Sequence, residues 1–313
     1  MFPAAGAFLF AAGLVIFLLP FSIATSAPHG WKTGYIIAMI VLGFALLVAF
    51  GLFESYVAPK PFLKHGFMTD RTVIGVCLLD LVYQISYYCW SSYFTSFLQV
   101  VNGLRPSQAS WISNTFDIIS GVLLFLVGYS IRKTGRFKWL LDLGVPLFML
   151  FQGLMIYFRQ PGQSIGYLIM CEVFISIAGA AFILCMQVGI LAAVDHQHVA
   201  TALAVLSVTG SAGGAIGATV SASIWTNTFY DRLAKLLPAD SMDNIDMIYE
   251  DLATQLSYEE GSPTRIAIQQ AYGYGQARML GAGTGIMALG LVTLFLIKNY
   301  DLRKMKHTKG MVF

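Results

Sequence analysis

The stretch GYIIAMIVLGFALLVAFGLF, Gly34 to Phe53, contains no charged side chain. At about 1.5 Å of helical rise per residue it reaches about 30 Å, the thickness of a bilayer's hydrocarbon core. Only a helix or a closed barrel satisfies its own backbone in lipid, and an unbroken apolar run of this length reads as a spanning helix. Working outward, comparable runs fall at about 4–23, 72–98, 110–131, 139–158, 165–191, 200–225 and 279–297. The breaks between them carry turn chemistry: Ala27-Pro28-His29-Gly30, Ala58-Pro59-Lys60-Pro61, Leu104-Arg105-Pro106-Ser107 and Gln160-Pro161-Gly162. The expectation is an all-α, polytopic membrane protein of eight spans.

Composition agrees. Of 313 residues 57% are hydrophobic and 11% charged, with mean hydropathy +0.70, whereas soluble domains carry about 25% charged residues. The net charge of +3 is explained by basic residues beside spans, so no nucleic-acid partner is implied. Cys77, Cys89, Cys171 and Cys185 all sit inside apolar runs without metal-ligand spacing and read as reduced, small hydrophobes. The run from Pro3 to Ile23 is long enough to span and reads as a helix, not a cleaved signal.

Lys and Arg are unevenly shared between alternate sides. One side holds twelve, among them Lys60, Lys64, Arg71, Arg132, Lys133, Arg136, Lys138 and Lys298, and the other seven, Lys32, Arg105, Arg159, Arg232, Lys235, Arg265 and Arg278. The positive-inside rule places the richer side, and both termini, in the cytoplasm. The polar segment at about 226–277 then faces outward. Its length is unusual for a plain connector, and the spacing of Ile245, Ile248, Leu252 and Leu256 predicts a short amphipathic helix within it.

Asp80 lies about 14 Å from the cytoplasmic start of its helix, near the midplane, where a carboxyl is costly and by default a functional group. Tyr83, Tyr87, Trp90 and Phe94 continue its face. An acid below an aromatic wall suits a proton-coupled cavity for a bulky solute; the alternative is a structural acceptor amid packing aromatics. Asp117 and Glu172 lie about 10 Å in from the outer ends of their helices. Helix pairing is the favoured reading for both, with substrate or proton contact the alternative. Asp142 follows Lys138 at i+4 and predicts a surface pair.

Gly210, Gly213, Gly214 and Gly217 share one helical face and predict close helix packing. Gly283-Thr284-Gly285-Ile286-Met287-Ala288 fits a dinucleotide fingerprint in letters but sits inside an apolar span without a preceding strand, so it is rejected. Asp195-His196-Gln197-His198 is too small a cluster to argue for a metal. No hydrolase, metalloprotease or P-loop motif occurs in the sequence. Neither an enzyme nor a resident cofactor or metal is expected.

Gly128-Tyr129-Ser130-Ile131-Arg132-Lys133-Thr134-Gly135-Arg136-Phe137-Lys138 looks like a degenerate copy of the major facilitator loop motif, with Arg132, Gly135 and Arg136 at its key positions and the usual acid before the first Arg absent. Ala58-Pro59-Lys60-Pro61-Phe62, Ala193 to Ala200, Gly210 to Gly217 with Ile224-Trp225-Thr226-Asn227, and Gly261-Ser262-Pro263-Thr264-Arg265 with Ala271-Tyr272 resemble the fungal siderophore-iron transporters, fourteen-span proton symporters of the major facilitator superfamily.

The resemblance implies that the chain corresponds to the C-terminal eight helices of such a protein. Residues 1–57 would be two linker helices, 58–71 a cytoplasmic connector, 72–298 a six-helix bundle with its outer loop at 226–277, and 299–313 a cytoplasmic tail. The N-terminal bundle would lie outside this chain. Ferric siderophore and protons would be the partners, in a plasma or endosomal membrane, and Tyr272 and Tyr274 would take part in recognition at the outer loop. A fourteen-span multidrug:proton antiporter and a non-transporting half-transporter are the rival readings.

Overall fold

In the computed structural model residues 4–24, 27–28, 30–56, 70–195 and 198–304 are described. Most of the 58–71 connector, His196 and Gln197, and the tail beyond Lys304 lie outside the described residues. Among the described residues every regular element is helical. The helices are α1 (Ala4–Ile23), α2 (Gly34–Tyr56), α3 (Arg71–Ser91), α4 (Phe94–Val100), α5 (Pro106–Ser113), α6 (Thr115–Thr134), α7 (Lys138–Phe158), α8 (Ile165–Ala193), α9 (Val199–Leu236), α10 (Ile245–Glu250), α11 (Leu252–Ser257) and α12 (Pro263–Leu294).

Among the described residues seven apolar stretches are long enough to cross a membrane, where eight were expected; one joins α3 to α4 (Arg71–Val100) and another α5 to α6 (Pro106–Thr134). Within α1, Phe8–Phe17 adds a shorter apolar helix. The outward faces are those lipid would cover: Val41, Phe44, Val48 and Leu52 on α2, and Val122, Phe125 and Leu126 on α6, are all exposed.

α3 is the central helix, packed against α9, α12 and α8, while α7 packs on α8 and α12, and α6 on α8. The pair α1 and α2 packs together and touches the bundle through α9. Small residues set the closest approach. A Cβ on Gly213 would lie 2.5 Å from the Leu81 carbonyl oxygen, and one on Gly217 2.8 Å from the Ile85 Cα, so α9 rests directly on the α3 backbone. Gly283, from the rejected dinucleotide pattern, does the same for α12: a Cβ there would lie 2.8 Å from the Cys89 Cβ. Beside it Ser86 Oγ lies 2.8 Å from Gln152 Oε1 and 2.9 Å from the Gly283 carbonyl, which ties α3, α7 and α12 together inside the core. The four cysteines are buried and free.

The outer connection differs from its expected form. α9 runs on through Leu236 and α12 begins at Pro263, so both ends of the 226–277 segment are helical. Ser262-Pro263-Thr264-Arg265 is a helix start: Ser262 accepts a hydrogen bond from the Arg265 backbone, and Pro263 occupies the first turn, where it costs no hydrogen bond. In place of one amphipathic helix there are two short ones, because extended Asp251 ends α10 and caps α11 by accepting from Ala253 and Thr254. That break shifts the helical phase. Ile248 is fully buried as expected, whereas Gln255 turns inward and Leu256 is 38% exposed.

At the opposite end of the bundle the chain after α12 folds back under α3 and α6. Lys298 Nζ lies 3.1 Å from Asp70 Oδ2, the Lys298 amide donates to Thr72 Oγ1 at 3.3 Å, and the Leu302 amide donates to the Gly135 carbonyl at 2.9 Å. Gly135 has φ +70°, a conformation open to glycine, and caps α6. The Arg303 guanidinium donates to the Lys133 carbonyl. Among the described residues the ion pairs are Lys298–Asp70 and Lys304–Asp301. The expected contact pair of Asp142 with Lys138 does not form: Asp142 is exposed, where solvent screens the attraction.

Candidate transport cavity

Asp80 projects from the middle of α3 into a cavity of about 540 Å³ bounded by α3, α8 and α9. Tyr83, Gln84 and Tyr88 line it from α3, Met186 and Gln187 from α8, and Ser207, Gly210, Ser211 and Gly214 from α9. Asp80 is 7% exposed, and among the described residues its carboxylate makes no ion pair within 4.0 Å. The volume lies in the range usual for a small-molecule site, and the lining is mixed, with Gln84, Gln187, Ser207 and Ser211 set among Ile183, Met186 and Leu206. Sequence order explains the placement: Asp80, Tyr83 and Gln84 share a face of α3, and the glycines of α9 leave room before that face.

Gly210 has a second consequence beyond packing. A Cβ there would come 2.5 Å from Asp80 Oδ2, so the absent side chain is what lets the carboxyl sit between the helices. Gly214 does likewise for the Tyr88 ring, at 2.9 Å.

The expected aromatic wall divides. Tyr83 reaches the cavity, but its ring also packs edge-on to Phe148 and Phe182. Tyr87, Trp90 and Phe94 turn into the bundle instead: Tyr87 meets Trp90 at 5.4 Å and Phe116 at 5.2 Å, and Trp90 meets Phe94 at 6.1 Å. The helical spacing that selected them follows α3 around its packed side. Tyr88, one residue off that series, is the second aromatic of the cavity.

The other acids lie apart from Asp80. Asp117 is exposed in the first turn of α6, where the helix N-terminus favours negative charge, and among the described residues it makes no ion pair with another helix. Glu172 is fully buried on α8, and neither carboxylate oxygen has a hydrogen-bond partner among the described residues. Tyr272 is buried on α12, donates its hydroxyl to Gln255 Oε1 at 2.8 Å and packs edge-on to Trp225 and Phe229. Its ring and hydroxyl are thus committed to the protein and do not face outward in this conformation. Tyr274 is partly exposed, with Arg278 donating to its hydroxyl at 2.8 Å and Arg232 5.0 Å from the ring.

Two arginines read from the sequence as outer loop charges are interior groups. Arg159 is fully buried, with Nη1 donating to the Trp90 carbonyl at 2.6 Å and to Gln276 Oε1 at 2.9 Å. Arg265 is 2% exposed and donates to the Gln255 carbonyl. Proximity to Pro161-Gly162 disguised the first, and the unrecognised helix start disguised the second. Of the loop motif, Arg132 and Arg136 are exposed while Gly135 is held by the returning C-terminal segment. Among the described residues no cluster of three metal-ligating side chains occurs.

An all-helical chain with this many apolar spans, packed around a polar cavity, defines a multi-pass integral membrane protein. A solved structure, a bacterial homolog of the human lysosomal transporter Spinster in an inward-facing and occupied conformation, superposes with TM-score 0.57 over 92% of this chain and 64% of that one at 17% identity, a likeness of fold. No family model matches the chain. By sequence the chain is a relative of the fungal siderophore-iron transporters of the major facilitator superfamily. It is 58% identical over 308 residues to siderophore iron transporter mirB of Emericella nidulans, 56% identical to MFS siderochrome iron transporter B of Aspergillus fumigatus, and 34% identical to siderophore iron transporter 1 of Schizosaccharomyces pombe. These matches cover 98%, 98% and 96% of this chain but 51%, 50% and 49% of those proteins, so the chain spans about half the length of the relatives it matches. The relatives are named as transporters, not enzymes.

Proposed function

We propose that the chain forms part of the translocation path of a proton-coupled ferric-siderophore transporter, in a plasma or endosomal membrane, with Asp80 as the proton-exchanging group of its cavity. The observation that carries this reading is the unpaired Asp80 carboxyl set into a cavity of about 540 Å³ near the middle of α3. Kinship to proteins named as siderophore-iron transporters supplies the substrate class. Tyr83 and Tyr88 are the aromatic walls against which a bulky chelate would rest, and Tyr274, beside Arg232 and Arg278, is the group available to it at the outer end.

Alternating access in such folds rocks one bundle against another around a shared midplane site. We place residues 72–298 in one bundle and 1–57 in a helix pair beside it. A second bundle would complete the cavity. The chain alone is then expected to insert and to bind, without catalysing flux. Robust siderophore-dependent iron accumulation by the purified chain in liposomes would overturn that division and make it a self-assembling half-transporter. A multidrug:proton antiporter is the rival, and competition by unrelated drugs but not by ferric siderophores for binding to the chain would favour it.

A further inference from the structure

Away from the Asp80 cavity, the two fully buried ionic side chains Arg159 and Glu172 face one another's helices without forming a contact pair. Arg159, at the end of α7, uses its guanidinium elsewhere. Nη1 holds the Trp90 carbonyl and Gln276, Nη2 lies 3.3 Å from Met155 Sδ, and the group stands 4.1 Å over the Phe94 ring. Its Nε remains unpartnered among the described residues, as do both oxygens of Glu172 and the indole nitrogen of Trp90. A bare carboxylate in such a place loses several kcal/mol of hydration with nothing to replace it, whereas a neutral carboxyl loses far less.

The carbonyls that Arg159 and Gln276 serve belong to the break between α3 and α4. There Ser92 is extended and Tyr93 sits at φ 57°, a region a tyrosine seldom occupies, so the helical ladder is interrupted and its acceptors need other donors. Gln276 Nε2 also points at the Ser92 carbonyl, at 3.4 Å. The guanidinium that lies in Glu172's electrostatic field is thus the same one that pins the broken central helix to α12.

We propose that Glu172 is a second proton-binding carboxyl, and that loss of its proton draws Arg159 off the α3–α4 break. Neutral Glu172 leaves the guanidinium free to cap the Trp90 carbonyl. Once ionised, Glu172 offers Arg159 the charge-assisted pairing it now lacks, and the break loses a donor. The titratable groups that face Glu172 are Arg159 from α7, Tyr87 from α3 and Cys171 on its own helix, with Asp117 of α6 acting on Tyr87 from beyond. Arg159 is the only permanent cation among them. The use of this couple in transport rests on the proton-coupled reading above, but proton binding is read on the chain without any flux, so either can fail alone.

The test is an infrared titration of the 313-residue chain in lipid nanodiscs, together with hydrogen exchange at residues 91–95. A protonated-carboxyl absorbance is expected that Glu172→Gln removes and Asp80→Asn leaves in place. Exchange at the break should quicken several-fold as that absorbance disappears in the unsubstituted chain, and should show no such step in Glu172→Gln. Should Glu172→Gln fail to insert, Glu172→Asp is expected to return the absorbance at a displaced frequency. Identical protonated-carboxyl spectra in the unsubstituted chain and in the Glu172→Gln or Glu172→Asp variant at every pH, or exchange at the break that ignores pH, would overturn the proposal and leave Arg159 a fixed cap of α3.

Discussion

Gly210 and Gly213 sit three residues apart on α9 and do different work, one making room for a carboxyl and the other for a backbone. Gly213→Ala would press a Cβ against Leu81 main-chain atoms that cannot turn aside, and should destabilise the chain by about 1–3 kcal/mol, read as a lower melting temperature in detergent. Gly285→Ala, on an exposed face with nothing within 4 Å, should be close to neutral or slightly stabilising. Equal melting of the two variants would refute the α3–α9 packing described. At this scale the sequence was legible where a residue type is rare in its setting: an acid mid-span, a stripe of glycines. Trp90 and Tyr87 were misread because spacing along α3 selects a face without saying whether that face meets a cavity or another helix. Arg159 carried no signal, since an arginine beside a Pro-Gly turn looks like any loop cation.

The elements were read well in kind, less well in number, with seven span-length helices among the described residues where eight were expected, and poorly at their ends. Hydropathy finds the part of a helix that lipid would cover, and α9 and α12 both continue beyond it with polar residues, through Leu236 and from Pro263. The Ser262 cap and Pro263 were the missed evidence for the second. Between them, the Asp251 cap makes a pH prediction outside the membrane. Bonds from the Thr254 hydroxyl and amide and from the Ala253 amide hold the Asp251 carboxyl below its ordinary range. A lowered folded-state value means the cap's contribution is present above the unfolded carboxylate range and is lost as pH falls through the folded value. Amide exchange at residues 253–257 should therefore quicken on acidification in the unsubstituted chain and be fast at all pH in Asp251→Ala; a slow, pH-independent pattern in the variant would contradict the cap. For recognition, replacing residues 238–262 by a short Gly/Ser linker should weaken siderophore uptake by the complete transporter. Preserved uptake affinity and rate would leave recognition to the membrane cavity.

For the whole molecule, the sidedness drawn from basic residues is a proposal, and Arg159 and Arg265, being interior, drop out of the count of outer charges on which it was based. Cysteine labelling at Asp240 should mark that position from outside intact cells, and labelling at His307 should not; the reverse pattern would invert the topology. The fold as a whole was legible because lipid imposes one rule on every span. The cavity was not, because which faces of α3, α8 and α9 stay apart is decided by their mutual packing. The central claim is that Asp80 exchanges the proton that drives uptake. Its most direct measurement is iron-labelled siderophore uptake under an imposed proton gradient, by the complete transporter carrying this chain and by its Asp80→Asn variant at equal surface abundance. An amide keeps the hydrogen-bonding shape but cannot carry a proton, so uptake should fall at least tenfold and lose its response to the gradient, a change of about 1.4 kcal/mol or more in the driving step. Undiminished uptake with the same pH dependence in the Asn variant would contradict the account and make Asp80 a structural group.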